Sequence, residues 1–116
     1  MKDISIGVAE VPTTKTTIYT VPANHYAKWN LVYAHNTTSS GKWFTAIWYD
    51  KSANSEIKLA DQYPIPSKEY LKIDGGAYVV LEEEDEIRVQ AETTTVSCLV
   101  TFEVIQKTAT KIGNAT

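Results

Sequence analysis

The alternation of apolar and polar positions is cleanest near the end of the chain. Val96, Cys98, Val100, Phe102 and Val104 share one face against Ser97, Leu99, Thr101 and Glu103, the mark of a half-buried antiparallel strand. Just before it, Ile87, Val89 and Ala91 point one way while Arg88, Gln90 and Glu92 point the other, and Thr93, Thr94 and Thr95 turn the chain. Residues 4–11 (ISIGVAEV) alternate weakly and end at Pro12, while the β-branched run 16–21 (TTIYTV) is stopped by Pro22; proline cannot donate to a ladder and suits a strand end. Residues 56–61 predict a strand with Ile57 and Leu59 inward and Glu56, Lys58 and Ala60 outward. Two short strands, 69–73 and 77–81, flank a tight turn at Asp74, Gly75 and Gly76, where glycine accepts positive φ. No segment carries apolar residues at helical spacing over three turns.

Residues 26–50 hold all three tryptophans, Trp29, Trp43 and Trp48, with Tyr26, Tyr33, Phe44 and Tyr49. Two aromatic and β-branched segments around the turn-formers at 37–41 predict the central β-hairpin of the domain. Both faces of each arm are apolar, so periodicity alone does not select the buried one; a central position or a bulge explains such a pattern. The spacing of strands and turns predicts an all-β fold: a single antiparallel β-sandwich of about eight to nine strands, jelly-roll or immunoglobulin-like. The expected organisation is one domain over 1–116, with an extended N-terminal arm at 1–15 and a flexible C-terminal tail at 107–116.

Composition narrows the function classes. With 116 residues, 43% hydrophobic and 22% charged, the chain is long enough for one core without staples. The net charge is −3 and the lysines stand singly, which argues against a nucleic-acid or anionic-membrane surface. The single cysteine excludes an internal disulfide. The opening residues lack the apolar run of a signal peptide, and no stretch reaches the roughly 20 apolar residues of a spanning helix. Synthesis and folding in a cytoplasm are expected.

Candidate chemistry is sparse. His25 and His35 have no cysteine, histidine or carboxylate at ligand spacing and read as surface or loop residues. Glu82, Glu83, Glu84, Asp85 and Glu86 form a run of carboxylates. The run lacks the spacing and the glycine of a calcium loop and reads as a solvated hairpin turn that repels misassembled neighbours or pairs with a partner's lysines. Cys98 lies on an inward face and reads as a small hydrophobe. No nucleophile elbow, phosphate loop, HExxH or paired-glycine fingerprint is present, so neither catalytic, cofactor nor metal residues are expected. The aromatic residues exceed what one small sandwich can bury, and the surplus suggests a partner surface or a sugar platform. Trp43, Tyr49, Tyr63 and Tyr70 are the candidate partner-binding residues.

Four stretches carry a family resemblance: Thr17-Ile18-Tyr19-Thr20-Val21-Pro22-Ala23-Asn24; Val32-Tyr33-Ala34-His35-Asn36-Thr37; Trp48-Tyr49-Asp50; and the segment from Val79 to Val89. Together they resemble small virion structural proteins of tailed bacteriophages over residues 16–103. In the last stretch Glu84 stands where that family often has glycine, which puts the turn geometry there in question. The resemblance implies a non-enzymatic component of the particle. The first expectation is a capsid decoration (cement) protein on the major capsid protein lattice, self-associating as a trimer or ring. A neck, tail or baseplate ring component is the alternative. A carbohydrate-binding module for host attachment, with Trp43 stacking on sugar beside the 37–41 loop, is the reading from a different class.

Overall fold

The computed structural model describes residues 2–74 and 79–107, and these form nine strands and no helix. They are β1 (Lys2–Val8), β2 (Thr16–Thr20), β3 (His25–Asn36), β4 (Lys42–Asp50), β5 (Ser55–Ile65), β6 (Tyr70–Ile73), β7 (Val79–Leu81), β8 (Glu86–Ala91) and β9 (Val96–Gln106). One sheet has the order β1-β9-β3-β6, with β7 also paired to β3; the second has the order β2-β8-β4-β5. All pairings are antiparallel. Gly75 and Gly76 of the expected turn and the tail after Lys107 fall outside the described residues.

The strand order decides between the two expected topologies. The pairs β1–β9, β2–β8, β3 with β6 and β7, and β4–β5 nest around a single hairpin, β4–β5. Rolling that ribbon so that β9 also pairs with β3, and β8 with β4, makes the double Greek key of a jelly roll. A buried cluster from both sheets fills the interior, with Phe44, Trp29 and Phe102 its largest members.

Residues 26–50 are therefore not a hairpin. β3 and β4 lie in different sheets, and residues 37–41 carry the chain across the roughly 10 Å between layers. Each strand is flanked on both sides within its own sheet, which is why both read as aromatic and apolar. An extra residue in β3 settles its inward face: Trp29 pairs with Phe102 and Leu31 with Thr101, leaving Asn30 over. Ala27 and Trp29 point inward before this bulge, and Val32, Ala34 and Asn36 after it. A second irregularity corrects the reading of β5. Ala46 pairs with Ala60 and Ile47 with Lys58, so Leu59 is extra; Leu59 packs against the core, Ala60 is buried, and Ile57 on the edge strand stays 46% exposed.

Of the two readings of the N-terminal segment, strand or arm, the structure has the strand over residues 2–8. Residues 2–8 pair along their whole length with β9. Val11 is buried and its N–H reaches the Val96 carbonyl (2.9 Å), while Ala91 donates to the Pro12 carbonyl (3.0 Å). Ile4, Ile6 and Val8 pack against the core, and that apolar stripe holds the segment in the sheet.

Two buried polar side chains clip the ends of the sandwich. At one end, fully buried Asn36 donates from Nδ2 to the carbonyls of Ser40 (2.8 Å), Ile65 (3.0 Å) and Pro66 (3.3 Å). Its Oδ1 accepts from the Thr38 N–H (3.0 Å) and hydroxyl (2.7 Å). At the other end, buried Asp85 accepts from Trp48 Nε1 (3.0 Å), the Lys51 N–H (3.0 Å) and the Glu82 N–H (2.9 Å).

The carboxylate run is thus a crossing between sheets, stabilised within the chain, and not a solvated hairpin turn. Glu82 and Glu83 meet Lys107 at 3.5 and 3.0 Å, Glu84 takes φ 70°, and Glu86 bonds to Thr17 and Arg88. Glycine's freedom is absent at Glu84, yet the left-handed conformation the turn needs is still adopted, with the Glu84 N–H donating to the Val21 carbonyl (2.9 Å).

A charged network covers the outer face of the second sheet. Arg88 bridges Glu86 and Glu56 (2.8 Å each), and Lys15 reaches Glu56 (2.9 Å). Hydrogen bonds from Lys15 and Arg88 hold the Glu56 carboxyl below its ordinary range. Burial pushes Glu86 upward, but bonds from Thr17 and Arg88 outweigh it and the net direction is down. The Asn24 N–H, then Lys107, lower Glu83.

Two predictions follow from these contacts. Asp85→Ala strands three donors and costs about 3 kcal/mol, and Asn36→Ala costs about 2 kcal/mol, both read from chemical denaturation. Asn36→Asp is at least as damaging as Asn36→Ala, because it sets a carboxylate against three carbonyls; a milder Asp variant would contradict the donor assignment. The pH profile is set by carboxylates whose folded values lie below the ordinary 4.5. Their stabilisation is complete above about pH 5 and is lost as pH falls through their lowered folded values. Melting temperature accordingly holds level from neutral pH to about 5 and drops below about 4.5, less steeply in Glu56→Gln.

Candidate partner-binding surface

The first sheet is wet on its outer side, and cross-strand register sets what stands there. One row runs Gly7, Leu99, Tyr33, Lys72 across β1, β9, β3 and β6; the next runs Ser97, His35, Tyr70; on the other side lie Ser5, Thr101 and Leu31. Tyr70 is 58% exposed and stacks on half-buried Tyr33, with ring centroids 5.4 Å apart and planes at 23°. Leu99 and Leu31 are half-buried beside them, and a Cβ placed on Gly7 would meet nothing within 4 Å. The patch therefore has an aromatic wall, a leucine floor and an open margin at Gly7. Lys72 is held by Asp74 (3.4 Å), and Ser5 and Thr101 share a 2.8 Å hydroxyl bond.

The four sequence-predicted residues do not form one cluster. Tyr70 belongs to this patch. Trp43 and Tyr49 lie on β4 in the second sheet. Trp43 is half-buried opposite Pro64, its N–H donating to Glu92 Oε1 (3.2 Å). Tyr49 is engaged inside the chain, its hydroxyl donating to Asn54 (2.6 Å) and its ring lying 3.9 Å from the Arg88 guanidinium carbon. Tyr63, 49% exposed, sits on edge strand β5 opposite Phe44.

Trp43, Tyr63 and Tyr70 nevertheless flank the same end of the sandwich. The connections there are tied together, Val11 to Val96, Thr37 to Thr95 and Lys68 to Thr38, through backbone bonds of 2.9 to 3.3 Å. Sequence reasoning did not single out Tyr33, Leu31 or Leu99 as candidate binding residues, although it placed Leu99 on the outward face. Leu99 carried a signal: it is a large apolar residue among Ser97, Thr101 and Glu103 on the polar side of the most regular strand.

The chemically notable side chains among the described residues are otherwise committed. Cys98 is buried, and burial pushes its thiol up to about 12, far from a reactive thiolate at neutral pH. His25 spends Nδ1 on the Ala23 carbonyl (2.8 Å). Among the described residues no group of three His, Cys, Asp or Glu side chains is placed to hold a metal ion.

No protein-family model matches the chain, and no curated protein matches it. Solved structures with similarity include two of a pentameric capsid protein from metagenomic phage sequences. Each is 16% identical over 90% of this chain, with TM-scores of 0.44 and 0.45. A third is the CBM22-1–GH10 portion of Clostridium thermocellum endo-1,4-beta-D-xylanase 10B complexed with xylohexaose, at 9% identity and TM-score 0.40 over 90% of this chain. The chain spans 64% and 62% of the two capsid protein chains and 22% of the xylanase chain.

Proposed function

We propose that this chain is a non-enzymatic structural component of a tailed-phage particle. Within that class we assign it as a capsid decoration protein that docks on the major capsid protein lattice through the outer face of its first sheet. The observation that carries the docking assignment is the Tyr33–Tyr70 stack with Leu31 and Leu99, an aromatic and aliphatic patch facing outward across central strands β9 and β3 and edge strand β6. Aromatic anchors on a rigid sheet bind at low entropic cost, and such residues dominate protein interfaces. The virion assignment itself rests on the four sequence stretches that resemble small tailed-phage proteins. All four lie in or beside strands of the jelly roll. Three support its crossings between sheets: Thr17 to Asn24 at β2–β3, Val32 to Thr37 at β3–β4, and Val79 to Val89 at β7–β8.

The sugar-binding reading is less well served. Stacking on a sugar needs an open ring face, and Tyr70 already spends one face on Tyr33 while Trp43 is half-buried.

Quantitative mass spectrometry of purified particles, measured against the major capsid protein, tests the assignment. A copy number comparable to that of the capsid protein is expected. A small ring's worth would move the chain to the neck, tail or baseplate, and absence from particles would overturn the virion reading and make glycan binding the next assay. Tyr70→Ala is expected to reduce particle occupancy about ten-fold or more, while changing stability by no more than about 1 kcal/mol. Unchanged occupancy would exclude this face as the docking surface.

A further inference from the structure

The four sheet edges are not treated alike. The β6–β7 edge is broken into segments of four and three residues. Edge strand β2 has five residues and a register shift between Thr17 and Tyr19. Edge strand β5 carries two register shifts and Pro64. Short length, bulges and proline are the devices that stop an edge from recruiting another strand. β1 has none of them. It runs seven residues in unbroken register from Lys2 opposite Val104 to Val8 opposite Cys98, and pairs only with β9. Its inward stripe, Ile4, Ile6 and Val8, is only half-buried. The one charge on that stripe, Lys2, stands at its end.

We infer that β1 is a pairing edge for β1 of a second copy of this chain, antiparallel about a two-fold axis through Ile6. The occupant is argued from complementarity. Centred on Ile6, the pairing sets Ile6 against Ile6 and Ile4 against Val8 of the second copy, covering the half-exposed stripe. It also brings Lys2 towards Glu10 of the second copy, which stands in the bend two residues past the end of β1, twice by symmetry. Both side chains are exposed, and neither has an ion pair among the described residues. On the outer side Ser5 meets Gly7 and Asp3 faces the bend that begins at Ala9, so no like charges oppose each other. Centring on Ser5 leaves Lys2 opposite Val8 and Glu10 without a partner, which disfavours that register. The contact is isologous, in contrast to the trimer or ring that the family resemblance implies. It is a property of the isolated chain and stands apart from the virion reading.

The test uses the purified protein. Sedimentation should give a concentration-dependent species of about twice the 12.9 kDa chain mass. Lys2→Glu should weaken dimerisation roughly ten-fold, since it turns two attractions into two repulsions, and Lys2→Glu with Glu10→Lys should restore it. For register, Ser5→Cys with Gly7→Cys should form a covalent dimer under diamide, while Ser5→Cys alone should not. Both positions are exposed, Gly7 has room for a Cβ, and Cys98 is buried away from the oxidant. A wild-type chain that stays monomeric at every concentration overturns the proposal. So does a dimer indifferent to the charge reversal, or one cross-linked by Ser5→Cys alone.

Discussion

A jelly roll forces backbone through places where no ladder can satisfy it. Every connection except β4–β5 and β6–β7 leaves one sheet and enters the other. The peptide groups at these crossings are partly withdrawn from water, and an unpaired buried group costs as much as a lost hydrogen bond. Asn36 and Asp85 answer this requirement at opposite ends. One offers a buried amide to three carbonyls, the other a buried carboxylate to three N–H donors. Their polarity follows what each crossing leaves over, so exchanging an amide for a carboxylate at either site fails even though the shapes match. The core holds the layers together, and these two side chains fix how the chain passes between them.

Much of the fold was legible because strand periodicity is local. The β8 and β9 pattern was read residue by residue, and Ile87, Val89, Ala91, Val96, Cys98, Val100 and Phe102 are all buried. What was not legible is non-local. A strand flanked on both sides looks the same whether its sequence neighbour pairs with it or crosses to another sheet, so β3 and β4 read as a hairpin. Likewise the bulge at Asn30 and the extra Leu59 change the inward face by one residue, and only the partner strand reveals them. Asp85 was hidden for a different reason. Four glutamates surround it, and nothing in a charge run distinguishes the one carboxylate that lies within reach of Trp48.

The candidate surface was partly legible. Counting aromatics identified a surplus, and Tyr70 and Tyr63 are indeed exposed. Counting could not tell that the Tyr49 ring is occupied by Arg88, because that contact joins residues 39 positions apart on neighbouring strands. Nor could it find Tyr33, which becomes a surface residue only because the bulge in β3 turns it outward.

The two outer faces differ in what they leave uncommitted. On the second sheet, Arg88, Glu86, Glu56, Lys15 and Tyr49 satisfy one another, so a partner would have to break existing bonds to dock there. On the first sheet the tyrosines engage only each other, in a stack that leaves Tyr70 more than half exposed. The proposed edge pairing through β1 would extend this same sheet. Because the two-fold axis of an antiparallel strand pair stands perpendicular to the sheet, it turns both patches to the same side. Two weak docking faces presented together on a repeating surface gain from effective concentration without any new contact. In the proposed dimer the open edge would double the valency of the proposed docking face, which is the arrangement a repeating partner surface rewards.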